Sequence, residues 1–364
     1  MAVTALIFGL AQYVFASQLL FVPQNIFAAV TSDPPFERHV RAMGTDLLIR
    51  LDGMPRAEAL VLSERMVADV AATEARISTW RESSEFSRWN HAPLDHPFEL
   101  SAQSRQDLKA VLELGEQTGW KFHPFLGAPI EKMGIRRCKT AGAEACPKAL
   151  SASDRSSLLQ ALEPTHLFAN REKLLRASAQ VQIEEGGFGK GLALDRIKTL
   201  LEKDPSMGLA QVHVNFGGQT LDWSGSRVKQ SAQPRVSLAY PDSSRRPFLE
   251  IAIREGAISV STSGNAEQPH GHILDPSTLQ LSFHALSATV LDANPLAADA
   301  LSKALFLSGA EEGFKNISSH RDLILVESPK KVHLSCGLRG RVQPAPEFRS
   351  STELVFHCPV ENHL

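Results

Sequence analysis

The amino-acid sequence predicts an α+β fold, with mixed or antiparallel sheets packed against helices, and three observations carry that reading. Apolar residues recur at three- and four-residue spacing over 56–77 and again after Pro295, the mark of helices with one buried face. Short apolar runs at 211–216, 235–240, 248–253 and 257–261 mark strands. These elements interleave without a strict βαβ rhythm, which favours α+β. With 364 residues, 43% of them apolar and 21% charged, the chain can bury a large core. A net charge of −2 and the lack of a long Lys/Arg run argue against a nucleic-acid partner.

Taken in order, the chain opens on an apolar stretch from Ala2 to Val30, and its first charged side chain is Asp33. Val14-Phe15-Ala16 offers small residues at the spacing of a signal-peptidase site, although no basic residue precedes it. Residues 1–32 are therefore expected to be a signal peptide or an N-terminal membrane anchor, with a buried helix as the alternative. Export follows from the first two, to the periplasm or the outer face of the cytoplasmic membrane. An anchor would add membrane association through the N-terminus.

Residues 39–51 read as one strand, with Leu47, Ile49 and Leu51 alternating. Ala59, Leu62, Met66, Val70, Thr73 and Ile77 form the stripe of a helix over 56–77. A Ser/Trp/Arg-rich loop is expected over 78–90, a second helix over about 101–118, and an inserted surface loop over 135–160. A short strand at 178–183 leads to a glycine turn at 186–191, followed by a helix carrying Leu194, Ile197 and Leu201. Pro295 suits the first turn of a final strong helix with Leu301 and Leu305 inward. Strands return at 322–326 and 353–357.

Of the four cysteines, Cys138, Cys146, Cys336 and Cys358, none forms a Cys-x-x-Cys pair, which argues against zinc or thioredoxin chemistry. Two disulfides are one reading; pairing Cys138 with Cys146 and Cys336 with Cys358 closes the shortest loops. Four free buried thiols are the other.

The chemistry-bearing motifs are short. In Glu184-Glu185-Gly186-Gly187-Phe188-Gly189-Lys190-Gly191 a strand ends, glycines permit close backbone approach, and a helix begins with a lysine in its first turn. Such a helix start favours an anion, whereas an ordinary tight turn would leave the same trace. The spacing fits neither a Walker A loop nor a Rossmann fingerprint. Further along stand Asn215-Phe216-Gly217-Gly218, Ser261-Thr262-Ser263-Gly264, His270-Gly271-His272-Ile273-Leu274-Asp275-Pro276 and Ala298-Asp299-Ala300-Leu301-Ser302-Lys303. Upstream are Met43-Gly44-Thr45, Ser78-Thr79-Trp80, Ser84-Glu85-Phe86-Ser87 and Asn90.

In this order, over about residues 40–310, these motifs resemble the FAD:protein FMN transferases of the ApbE type. The resemblance implies an ApbE-like fold with FAD across a single cleft, over residues 38–325, and a C-terminal extension with two Cys over 326–364. It further implies Mg2+-assisted transfer of FMN from FAD onto a Thr or Ser hydroxyl of an exported redox protein, with release of AMP. The acceptor would carry an Asp-Gly-x-Ser/Thr-Gly-Ala-Ser/Thr motif. By position, Met43, Trp80, Phe122, His123, Glu184 and Lys190 would contact FAD, and Ile273 and Leu274 would border the flavin nucleotide. Gly187 (through its carbonyl), Asp299, Ser302 and Lys303 would surround the metal, with His272 and Asp299 as catalytic groups.

Several positions depart from the family pattern. His123 stands where an acidic residue is usual, Ser277 and Leu279 replace parts of an Arg-Thr-Gly, Gln219 replaces an acid after the paired glycines, and Lys303 replaces a metal-binding Thr. Asp299 and Lys303 lie one helical turn apart on one face. They form either an intrahelical ion pair or an ammonium crowding the metal position, where unit charges about 4 Å apart repel by roughly 4 kcal/mol. These departures make a catalytically impaired flavin carrier or assembly factor the second functional reading, and a structural relative with an empty cleft the third.

Overall fold

The computed structural model describes residues 34–136, 147–228, 235–240, 246–253, 255–263, 272–282, 284–317 and 320–358. The apolar N-terminal stretch, Cys138, Cys146, Gly264, His270 and Gly271 lie outside the described residues.

The chain enters through β1 (Phe36–Ala42) and β2 (Thr45–Asp52), where the sequence predicts one strand. The difference lies at Met43-Gly44: both residues have positive φ, 46° and 74°. Two left-handed residues close a tight hairpin whose twist matches its strands. Helix α1 (Arg56–Ile77) follows, and its buried residues include every member of the predicted stripe. The segment expected to be loop contains α2 (Glu85–His91), started by Ser84, whose hydroxyl accepts the Ser87 N–H at 3.0 Å. Helix α3 (Ala102–Gln117) is capped in the same way by Ser101. A short α4 (Gly127–Lys132) comes next. Within the expected 135–160 loop, α5 (Ala152–Leu162) is capped by Ser151 and buries Leu158, Ala161 and Leu162. Its caps are legible in sequence; its few large apolar residues hid the helix.

After β3 (Phe168–Asn170) and β4 (Leu175–Arg176), the expected strand at 178–183 is reduced to a single bridge between Leu126 and Gln182. Helix α6 (Gly189–Lys203) then begins inside the glycine turn. The strands β5 (Gln211–Phe216), β6 (Gln219–Ser224), β7 (Arg235–Ala239), β8 (Pro247–Ala252) and β9 (Gly256–Thr262) follow. Next come the small pair β10 (Leu274–Asp275) and β11 (Gln280–Leu281), then β12 (Ser287–Asp292). Helix α7 (Pro295–Ile317) is interrupted at Gly309, where φ is 70° and ψ −169°. The chain ends in β13 (Asp322–Ser328), β14 (Lys331–Ser335), β15 (Val342–Pro344) and β16 (Glu353–His357).

One nine-stranded sheet runs β1-β2-β5-β6-β9-β12-β13-β14-β16, antiparallel except for the parallel pair β14 and β16. Strand alternation sends its residues to two faces. Leu47, Ile49, Leu51, Val212, Val214 and Phe216 meet α1 and α6 in one core. Ala288, Val290, Leu323 and Leu325 join α7 and the aromatic residues Phe86, Trp89, Phe122, Phe125 and Phe188 in a second. Ile258, Ile324, Val326, Val332 and Leu334 face the other way, onto the small sheet β15-β8-β7. The first two cores flank the glycine turn, because α6 packs on both α1 and α7. No helix among the described residues is long and apolar enough to cross a membrane.

Candidate active site at the glycine turn

The approach to the turn is held from both sides. Asn90 takes the Ile183 N–H at 2.7 Å and donates to the Ile183 carbonyl at 2.9 Å, so one amide closes both backbone groups. The Glu184 N–H reaches the Pro124 carbonyl at 2.8 Å. Residues Glu185–Gly187 make one 3-10 turn, and α6 starts at Gly189. Three sequence-predicted residues from distant segments, Phe122, Met43 and Asp299, lie against this turn. A Cβ on Gly187 would lie 3.2 Å from the Phe122 ring, and one on Gly189 would lie 3.2 Å from Met43 Cε. At Gly191 the approach is closer still: a Cβ there would sit 2.5 Å from Asp299 Cβ and 2.7 Å from the Pro295 carbonyl. Glycine is required at 191 because α6 and α7 touch backbone to backbone.

On the outer side, a chain of charged and hydroxyl groups runs along the turn. Arg136 donates through Nε to Glu184 Oε2 at 3.1 Å, through Nη1 to the Thr79 carbonyl at 3.1 Å, and through Nη2 to both Glu184 and Thr79 Oγ1. Thr79 in turn donates its hydroxyl to Glu185. The Arg136 guanidinium lies 4.9 Å from the centroid of the Trp80 ring, which is 57% exposed and so presents a face to a ligand. Burial, reinforced by the neighbouring Glu184 carboxylate, raises the Glu185 pKa to about 7. Sequence reasoning missed Arg136 and Glu185. Arg136 sits at the start of the stretch read as an insert, and only the fold brings it to Glu184.

On the inner side, Asp299 is fully buried on the second turn of α7. Its Oδ2 accepts the Gly191 N–H at 2.8 Å, and its Oδ1 accepts Gln219 Nε2 at 2.7 Å. Lys303 donates to the same Oδ1 and, at 2.9 Å, to the Asp299 carbonyl. Burial lowers the Lys303 pKa; the adjacent Asp299 opposes that shift, and nearby Lys190 adds to it. Ser302 points away from this group, hydrogen-bonding the Asp299 carbonyl and Ser261 Oγ, each at 2.8 Å.

This donor set does not fit magnesium. The ion takes oxygen ligands in near-octahedral geometry, yet both Asp299 oxygens are taken by nitrogen donors. Ser302 is turned into the β9 serines, and an ammonium stands where the fourth expected member would offer an oxygen. Among the described residues, no cluster of three His, Cys, Asp or Glu side chains could hold a metal ion.

The remaining predicted residues divide. Ile273 and Leu274 are buried in the same apolar core as Phe122 and Phe188, while His272 before them is exposed. The departures at Ser277 and Leu279 form a turn between β10 and β11. There Asp275 Oδ1 accepts the Ser277 N–H at 2.8 Å and its hydroxyl at 2.6 Å, and Leu279 takes a positive φ of 52°. His123 is buried with both ring nitrogens engaged, at 3.1 Å to the Leu162 carbonyl and 3.2 Å to the Phe125 N–H. Burial drives its pKa down to about 4, so the ring is neutral. It braces the Phe122–Phe125 turn from behind and has no ring nitrogen left for a flavin.

Known proteins share the sequence pattern and the fold. The model of the ApbE family matches residues 43–326. The FAD:protein FMN transferase of Vibrio cholerae is 26% identical over 282 residues, covering 74% of this chain and 80% of its own. The one from Klebsiella pneumoniae is 24% identical over 280 residues, covering 75% and 78%. Among solved structures, the flavin transferase ApbE from Vibrio cholerae superposes with a TM-score of 0.68 at 21% identity, covering 85% of this chain and all of that one. The ApbE protein of Thermotoga maritima gives 0.66 at 22% identity, covering 88% and 100%. The residues gathered at the glycine turn thus lie within a match spanning most of the sequence, and the chain belongs to the ApbE family.

Proposed function

We propose that this protein is an FAD:protein FMN transferase, which moves FMN from FAD onto a Thr or Ser hydroxyl of an acceptor protein and releases AMP. The observation that carries this reading is the convergence on one glycine turn, beside its own Glu184, of Met43, Phe122 and Asp299 from three distant segments, in a chain of the ApbE family. The names of the relatives support the substrate and the reaction.

The chemistry is a displacement at phosphorus. The acceptor hydroxyl oxygen bonds to the FMN-side phosphorus, the bond from that phosphorus to the bridging oxygen breaks, and AMP leaves with the bridging oxygen. His272, exposed just ahead of β10, is the group we assign to take the hydroxyl proton. The Gly191 N–H is taken by Asp299, which leaves the first two N–H groups of α6 and the Lys190 ammonium to offer positive charge to the pyrophosphate. The exposed Trp80 face suits an aromatic ring of FAD, and Ile273 and Leu274 supply apolar backing.

The reading extends to location. The disulfide between Cys336 and Cys358 supports an oxidising compartment, consistent with an exported acceptor.

Incubating the protein with FAD and an acceptor bearing the Asp-Gly-x-Ser/Thr-Gly-Ala-Ser/Thr motif, with and without magnesium, tests the proposal. The expected result is a covalently fluorescent acceptor, heavier by one FMN, and one AMP released per acceptor. FAD binding without either product would reduce the protein to a flavin carrier.

A further inference from the structure

The Asp299 group is electrically complete before any ion arrives. One carboxylate is matched by one ammonium, and Gln219 on Oδ1 and the Gly191 N–H on Oδ2 occupy two more of its acceptor positions with neutral donors. Two departures from the family pattern, Gln219 and Lys303, act in the same direction. One withholds a negative charge and the other supplies a positive one. A divalent cation entering here would meet the ammonium at contact distance and would find Oδ1 doubly occupied and only one acceptor position of Oδ2 left.

We propose that Lys303 is a built-in substitute for the divalent cation, so that this protein binds no metal at Asp299 and transfers FMN without one. The proposal rests on the transferase reading above. An ammonium has three donors, and Asp299 takes two of them through its carbonyl and Oδ1. The third is available to a pyrophosphate oxygen. Lys190 lies close enough to Lys303 for their charges to interact, so two ammonium groups flank the start of α6. Placed there, Lys303 acts as a fixed positive charge that offsets the charge developing on the bridging oxygen as AMP leaves. A lysine is covalently retained, so this positive charge does not depend on the free metal concentration of the compartment.

Manganese, whose paramagnetic signal is lost on binding, is the probe. Titrated with Mn2+ up to about 1 mM, well above what a committed oxygen site needs, the wild-type protein should leave all of it free. Lys303→Thr, which opens the position and offers an oxygen, should bind one Mn2+ at least about tenfold more tightly than wild type. FMN transfer by the wild type should be unchanged in EDTA, whereas transfer by Lys303→Thr should require added Mg2+. One Mn2+ bound to the wild type and displaced by Mg2+, or wild-type transfer abolished by EDTA and restored by Mg2+, would overturn the proposal. The wild-type measurements decide the matter even if the variant fails to fold. Absence of transfer under every condition would instead sink the transferase reading, and the Mn2+ titration would still decide whether Lys303 closes the metal position.

Discussion

Glu185 and His123 are both buried near the glycine turn, and burial moves them in opposite directions: the carboxyl rises from 4.5 to about 7, and the imidazole falls from 6.5 to about 4. Between those limits the folded protein holds a proton on Glu185 that the unfolded chain releases, so this group's contribution is full at low pH and is lost as pH rises toward 7. For His123 the unfolded chain holds the extra proton, so its contribution is present above 6.5 and is lost as pH falls toward 4. In the wild type the two slopes oppose. Glu185→Gln should therefore leave stability that climbs with pH over this window, and His123→Gln should leave stability that declines. Urea midpoints measured from pH 4 to 8 would check both; parallel slopes in the two variants would contradict the assignment. Lys303 and Asp299 form a pair of another kind, 17% and 1% exposed. Removing the cation by Lys303→Ala strands a buried carboxylate and should destabilise the fold by roughly 3–5 kcal/mol, read from urea denaturation at pH 7.

At the level of elements, the site depends on how closely α6 approaches α7. Gly191 permits that approach, and its N–H ties α6 to Asp299. Gly191→Ala would push a methyl into Asp299 Cβ, the Pro295 carbonyl and Leu296 Cα. Overpacking of this kind costs about 1–3 kcal/mol, and here it also separates the two sides of the ligand site. We expect a lower urea midpoint together with weaker FAD binding by fluorescence titration; a loss of stability with unchanged binding would show that the helix contact does not shape the site. Arg136 plays the matching part outside, clamping Glu184, Thr79 and Trp80. Arg136→Ala should weaken FAD binding several-fold and also lower the urea midpoint, because Glu184, only 12% exposed, loses its cation.

Across the whole molecule, one sheet carries both halves of the site, and the C-terminal segment completes it. Strands β14 and β16 extend the sheet beyond β13, and β15 pairs with β8 to cover its other face. The last strand is held by parallel pairing with β14 and by the disulfide between Cys336 and Cys358, which lie 22 residues apart in sequence and 4.7 Å apart at Cα. Closing such a loop stabilises by about 3 kcal/mol. Cys358→Ala should lower stability by that order and raise hydrogen exchange at 353–357, with FAD binding retained, since the glycine turn lies under other elements. Loss of flavin binding in that variant would show that the edge of the sheet supports the site directly.

Much of this fold was legible in the sequence where a periodic apolar face meets a cap. The α1 stripe, the strands at 211–216 and 257–261 and the start of α7 at Pro295 are all written in local spacing, because burial of one face is a local demand on the sequence. The short helices α2 and α5 were not, since their capping serines are visible but their apolar faces are too brief to distinguish from loop. The glycine turn and the residues around it were found by motif order. Their roles were not, because a residue's chemistry depends on partners brought in from a distance. The sequence by itself determined the family, the helix faces and the presence of an acid and a lysine one turn apart. Only the tertiary structure decided that Gln219 and Gly191 hydrogen-bond that acid from two other elements, that Ser302 turns away, and that Arg136 closes the outer wall. Contact between segments a hundred residues apart is set by packing, and no local pattern records it.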